Sequence, residues 1–177
     1  MGHGAIMGHE FCGEVVEVGS QAPGGWHEGD RICALPYIAC GQCLDCLGGR
    51  GHRCREVIYT GMGGPSGGYA DYVRVGGVEA LALPDGVDYQ AGALVEPLAV
   101  GLHAVRLANL RPGEGVLIIG AGPIGLAVAL WCRFFGARHV VISDLAPGRL
   151  DKAAAAFSSP TAPTGCASTT GRGSKSR

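Results

Sequence analysis

The run VLIIGAGPIG, residues 116–125, dictates more local geometry than any other stretch of the chain. Val116 to Ile119 is a continuous apolar run, the pattern of a strand covered on both faces in a parallel sheet. Gly120-Ala121-Gly122-Pro123-Ile124-Gly125 follows at once and spells G-x-G-x-x-G. It opens an apolar helix expected from about Pro123 to Phe135 and stopped by Gly136. A strand before and a helix after turn a common pattern into a dinucleotide fingerprint. Gly120 would make the tight turn, Gly122 would let a pyrophosphate approach the backbone, and Gly125 would let helix and strand pack closely. Pro123 and Ile124 stand at the helix N-terminus, where free N–H groups and the helix dipole favour phosphate. HVVIS, 139–143, reads as the next strand and Asp144 closes it, 19 residues past Gly125. An acid there binds the adenosine ribose hydroxyls and repels a 2′-phosphate, which favours NAD over NADP. The competing reading is a glycine-rich turn followed by an ordinary surface aspartate; strand, helix, strand and acid in one register argue against it. A further helix is expected from about Pro147, with Leu150, Ala154 and Phe157 on one face.

From Gly115 to Cys132 there are 18 residues without a charge, which touches the length of a membrane span. Gly120, Gly122, Pro123 and Gly125 lie near its centre, so a buried strand, a turn and a buried helix explain it better. The formal net charge of −1 gives no bulk attraction to nucleic acid or to an acidic membrane. No nucleic-acid or membrane partner is expected.

The first 85 residues read differently. Short β pieces are split by glycine and proline: FCGEVVEVG, alternating from Glu14 to Val18, then DRICAL and YADYVRV. After Pro84 the text turns helical, with Leu94, Leu98, Leu102 and Val105 at helical spacing across Tyr89–Leu110. Pro97 lies inside that stretch and should kink or break it. From Ser158 the chain has no large apolar residue and no acid, so 158–177 is expected to be a disordered tail.

Four of the eight cysteines fall in one short segment: Cys40, Cys43, Cys46 and Cys54, as C-x2-C-x2-C-x7-C. Four thiolates close a tetrahedral shell around Zn2+ and leave no place for water, so the site reads as structural. The rival is a set of free or disulfide-linked thiols. Against it, the opening MGHGAIMGHE has neither a basic n-region nor an apolar h-region, which implies a reducing, cytoplasmic setting. A nucleic-acid zinc ribbon would need two C-x2-C pairs about 15–20 residues apart, and that spacing is absent. Cys12, Cys33 and Cys132 read as buried small hydrophobes, and Cys166 as a free exposed thiol. The pair His9-Glu10 offers an imidazole and a carboxylate, both suited to an open zinc site. On its own the dipeptide is a weak signal, because most such pairs are surface residues.

GHE-x2-G, the four-cysteine segment, VEP (95–97) and GAGPIG, in this order, resemble the zinc-dependent medium-chain alcohol/polyol dehydrogenase family. The run from Val95 to Leu150 is similar to its sorbitol and butanediol dehydrogenase branch, and the resemblance covers about residues 4–157. It implies an α/β chain: a partial GroES-like, β-rich catalytic domain with a structural zinc lobe over 1–85, then the first βαβ unit of an NAD-binding Rossmann domain over 86–157. It implies that His9 binds a catalytic zinc, that Glu10 can join it, and that Glu96 lies at or near the metal. It implies a structural zinc on Cys40, Cys43, Cys46 and Cys54, with NAD at Gly120, Gly122, Gly125 and Asp144. The implied reaction is oxidation of a small alcohol or polyol to a ketone or aldehyde by hydride transfer, in a protein that commonly forms homo-oligomers.

Family members carry a substantial segment before GHE, including a cysteine ligand to the catalytic zinc, and about six strands in the dinucleotide domain. The 177 residues are therefore expected to show little or no dehydrogenase activity by themselves. The alternative function is a non-catalytic, zinc-stabilised interaction module, which needs the cysteines but not His9, Glu10 or Glu96.

Overall fold

A computed structural model describes residues 4–64, 66–157 and 166–168. Two compact units make up the chain, Met1–Glu96 and Pro97–Arg177. In the first unit, β1 (Cys12–Glu14), β2 (Arg31–Ala34), β3 (Tyr37–Ile38), α1 (Leu44–Leu47), a 3-10 turn (Gly51–Arg53), β4 (Ile58–Tyr59), β5 (Ala80–Ala82) and α2 (Tyr89–Gly92) follow in order. Strands β1, β2 and β5 form an antiparallel sheet with β2 central, and β3 pairs with β4 alone. Apart from Cys54, the buried apolar residues of this unit, Ile32, Cys33, Ala34, Ala80 and Leu83, come from β2, β5 and the residue that follows β5. The unit extends past Pro84 to Glu96 because α2 is tied back to β1: Cys12 Sγ donates to the Tyr89 carbonyl at 2.8 Å.

Two strand expectations are corrected here. The alternation of 14–18 does not continue as a strand; β1 ends at Glu14 and Val16 is exposed. YADYVRV forms no strand, and Tyr69 and Tyr72 are largely exposed. Alternating β-branched and aromatic residues supply propensity, but a strand needs a partner's N–H and C=O groups, and no described strand runs beside residues 69–75.

The second half carries α3 (Val95–Leu107), β6 (Gly115–Ile119), α4 (Pro123–Phe134), β7 (His139–Ser143), α5 (Pro147–Phe157) and β8 (Cys166–Ser168). The expected long helix over Tyr89–Leu110 is two helices, α2 and α3, with the break before Pro97. Pro97 sits in the first turn of α3, where its missing N–H would have no partner in any case. Strands β6, β7 and β8 are parallel with β7 in the middle, Val116 facing Val140 and Ile118 facing Ile142. Strand β8 lies inside the tail expected to lack structure: for Cys166–Ser168 that expectation is corrected, since the free edge of β7 offers main-chain partners to any extended segment. The rest of that tail, and the Cys166 side chain, lie outside the described residues.

Val105, Ile118, Ala129, Cys132, Val140, Ile142, Leu150, Ala153 and Phe157 form one buried cluster on one face of this sheet. The other face is open. Leu117 is 64% exposed and Ile119 86%, whereas the apolar run predicted cover on both sides. Among the described residues of this unit, the helices pack on the Ile118 face alone. Among the described residues, no helix is long and apolar enough to cross a membrane.

Candidate metal centres and nucleotide loop

The four cysteines converge without any distant element. Cys43 caps α1, Cys46 lies in it, and Cys54 ends the 3-10 turn that follows. Their sulfur atoms all lie within 4.8 Å of one another. A tetrahedron with Zn–S of about 2.3 Å has edges near 3.8 Å. Cys40 and Cys46 sulfurs stand 3.8 Å apart, and Cys43 and Cys46 3.4 Å. The residues present therefore fit zinc.

The main chain prepares the thiols for negative charge. Cys54, 4% exposed, accepts from the N–H groups of Cys40 and Glu56, each at 3.4 Å. Backbone N–H groups of Gln42 and Cys43 hold the Cys40 thiol down to about 7, with help from Cys54. Burial pushes Cys46 up to about 12, and its sulfur neighbours add to the rise. The last thiolate forms only when a cation offsets the crowding.

A second cluster draws on parts of the first unit far apart in sequence. His9 follows a segment pinned by main-chain bonds: Gly68 N–H donates to the Gly8 carbonyl at 2.7 Å, and Tyr69 N–H to Met7 at 2.9 Å. Glu10 comes next, just before β1. Glu96 lies in the first turn of α3, behind α2, whose Asp88 cap accepts from Ala91 N–H at 2.7 Å. One ligand atom from each of His9, Glu10 and Glu96 lies within 4.8 Å of the others. His9 and Glu96 are half-buried and Glu10 is exposed. Burial raises the Glu96 carboxyl above its ordinary range, His9 opposes the rise, and the charge of Glu10 adds to it. An imidazole and two carboxylates suit zinc, and the exposed Glu10 leaves one side of the cluster open to solvent.

The glycine loop joins β6 to α4. Gly120 adopts φ +110°, and a Cβ on Gly125 would stand 2.0 Å from the Gly120 carbonyl oxygen, so the turn and the helix close on each other. A Cβ on Gly122 would meet nothing within 4 Å, leaving open space at the head of α4. Asp144 Oδ2 accepts from Ala121 N–H and Oδ1 from Ala146 N–H, each at 2.8 Å, with Arg149 at 3.5 Å. The Ala146 and Ala121 amides, then Arg149, hold its carboxyl below the usual range. Asp144 thus fastens the glycine loop to the end of β7. Pro123 and Ile124 form the first turn of α4.

The alcohol dehydrogenase GroES-like domain family matches residues 2–85. L-threonine 3-dehydrogenase of Yersinia enterocolitica is 40% identical over 148 residues, 84% of this chain and 42% of that protein. The structure of 2R,3R-butanediol dehydrogenase from Bacillus subtilis superposes with a TM-score of 0.73 at 35% identity, over 92% of this chain and 44% of the other. The chain belongs to the zinc-dependent medium-chain alcohol/polyol dehydrogenase family. A structure described as a zinc-binding dehydrogenase from Sinorhizobium meliloti, bound to NADP, matches with a TM-score of 0.76 at 36% identity, over 92% of this chain and 45% of the other. The chain spans less than half the length of the curated relatives it matches.

One residue of this dehydrogenase-family chain that sequence reasoning passed over is Glu79. It is 7% exposed, and its Oε1 accepts from Ala39 N–H at 3.4 Å, one residue before the first lobe cysteine. Its charge also adds to the rise that burial imposes on Tyr37. A charged residue beside β5 gave no signal of this, because its partner lies forty positions away.

Proposed function

We propose that this chain carries the zinc-holding part and the adenosine-anchoring part of an NAD-linked dehydrogenase that oxidises a small alcohol or polyol. The observation that carries the reading is the convergence of His9, Glu10 and Glu96 within 4.8 Å. Two of these residues precede β1 and the third opens α3, so chance proximity along the sequence does not account for it. His9, Glu10 and Glu96 would hold a zinc ion, whose Lewis acidity would let a substrate hydroxyl shed its proton near neutral pH. The cysteine lobe has the closed shell of a structural zinc and keeps loop 40–54 in shape.

The open head of α4 suits a pyrophosphate. The negative Asp144 supports NAD over NADP, since a 2′-phosphate would approach a carboxylate whose two oxygens are already engaged by N–H groups. Thiolate ligands suit a reducing, cytoplasmic setting. The 177 residues by themselves turn over little, because the match spans only 42% of the L-threonine 3-dehydrogenase relative; robust NAD reduction with any polyol by this polypeptide would contradict that.

The test is cobalt titration of protein loaded with one equivalent of zinc, which fills the cysteine lobe. Binding at His9, Glu10 and Glu96 gives weak visible bands of an oxygen/nitrogen site without thiolate charge-transfer absorption, and His9→Ala removes them. A titration that gives thiolate bands alone, unchanged in His9→Ala, would refute the catalytic reading. The second reading, a zinc-stabilised interaction module, is favoured by Leu44 and Leu47 on α1, which are 86% and 73% exposed; it predicts that second spectrum.

A further inference from the structure

Strands β1 and β2 set Cys12 directly opposite Cys33, with Gly13 facing Ile32 and Glu14 facing Arg31. Where the two strands part, Gly29 N–H donates to the Val15 carbonyl and Val15 N–H to the Asp30 carbonyl, each at 2.8 Å, and Gly29 has φ +91°. This is a glycine bulge, and it makes Val15 and Asp30 a hydrogen-bonded pair. Bonded and non-bonded pairs alternate along an antiparallel ladder. Gly13–Ile32 is therefore bonded, and Cys12–Cys33 is not. Non-bonded pairs hold their Cα atoms about 4.5 Å apart with side chains close together. Two cysteines bridge without backbone movement when their Cα atoms are about 4.4–6.8 Å apart.

Neither thiol belongs to a metal centre. Cys33 is 5% exposed and Cys12 is half-buried. Cys12 has one further tie, the 2.8 Å bond from its S–H to the Tyr89 carbonyl, which also accepts from Ala93 N–H at 3.0 Å. Burial as apolar filler accounts for either cysteine separately but not for their opposed positions.

We propose that Cys12 and Cys33 are a redox pair: a small-molecule disulfide oxidises them to an intramolecular disulfide, and this loosens α2 from β1. The Cys12 sulfur, the more accessible, attacks one sulfur of the small disulfide, forming a mixed disulfide and expelling one thiolate. The Cys33 sulfur then attacks Cys12 and expels the second. Two protein thiols lose two electrons, the small disulfide becomes two thiols, and the two protons pass to them through water. The oxidised Cys12 sulfur has no proton to donate, so the Tyr89 carbonyl loses one of its two donors. Burial pushes both thiols up, and the Cys33 charge adds to the rise at Cys12. With Cys33 only 5% exposed, exchange belongs at the slow end of the seconds-to-hours range.

The experiment incubates the zinc-loaded chain with oxidised glutathione, blocks free thiols and digests with chymotrypsin. Cleavage after Phe11, Trp26 and Tyr37 separates Cys12 and Cys33 from the lobe cysteines. The expected product is a peptide pair 12–26/27–37, released by dithiothreitol, with amide exchange across 89–93 faster by about tenfold. Cys33→Ser and Cys33→Ala should both stop at a glutathione adduct on Cys12. Absence of the 12–26/27–37 pair under conditions that oxidise other thiols would overturn the redox pair. The pair formed with unchanged exchange at 89–93 would overturn the release of α2.

Discussion

Replacing Cys54 by serine tests the zinc lobe at its most buried ligand. The substitution removes one of four thiolates and leaves the Cys40 and Glu56 N–H groups, which donate to that sulfur at 3.4 Å each, with a weaker acceptor. Structural zinc binding is worth about 10–16 kcal/mol in small domains. A quarter share is about 3 kcal/mol, or roughly a hundredfold in affinity at 1.4 kcal/mol per tenfold. The assay is competition for zinc against a chromophoric chelator of known affinity, with Cys132→Ala as control. Cys132 is equally buried, at 2% exposed, but lies outside the lobe, so its loss should leave zinc affinity unchanged. Retention of zinc by Cys54→Ser within about threefold of the parent, well short of the full ligand share, would refute the four-sulfur shell. Equal loss in the control would show that the effect reports on general unfolding.

Two further outcomes follow from the second half of the chain. Gly125→Ala places a methyl group 2.0 Å from the Gly120 carbonyl oxygen; it should cost about 1–3 kcal/mol of stability, as overpacking does, and abolish binding of ADP measured by calorimetry. Asp144 is held below its ordinary carboxyl range by the Ala146 and Ala121 amides, so its contribution is full above the unfolded value of about 3.9 and is lost as pH falls through the lower folded value. In a Trp26→Phe background, Trp131 fluorescence during urea unfolding should therefore show Asp144→Asn less stable than the parent at neutral pH, with the gap closing below pH ~4.

What could be read from the sequence was local. The C-x2-C-x2-C-x7-C spacing brings four sulfurs together within one short loop, and the apolar strand with its glycine turn specifies β6 and α4 nearly to the residue. Non-local relations could not be read. Cys12 and Cys33 face each other only because a bulge at Gly29 sets the register. Glu79 reaches Ala39 across forty positions. The tyrosines of YADYVRV have strand propensity and no partner strand. Leu117 and Ile119 have the pattern of a doubly covered strand but stand exposed, since periodicity reports what a strand can bury and not what lies against it. Glu96 came from the family resemblance alone; nothing in an acid after a valine points to His9, more than eighty residues earlier.

The most direct test of a two-metal reading is zinc per chain, by elemental analysis of purified protein freed of loosely bound metal, for the parent and for His9→Ala. About two equivalents are expected in the parent, one for each cluster, falling to about one in the variant. About one equivalent in both, with the cysteines protected from thiol reagents, would leave the lobe intact and contradict a metal at His9, Glu10 and Glu96.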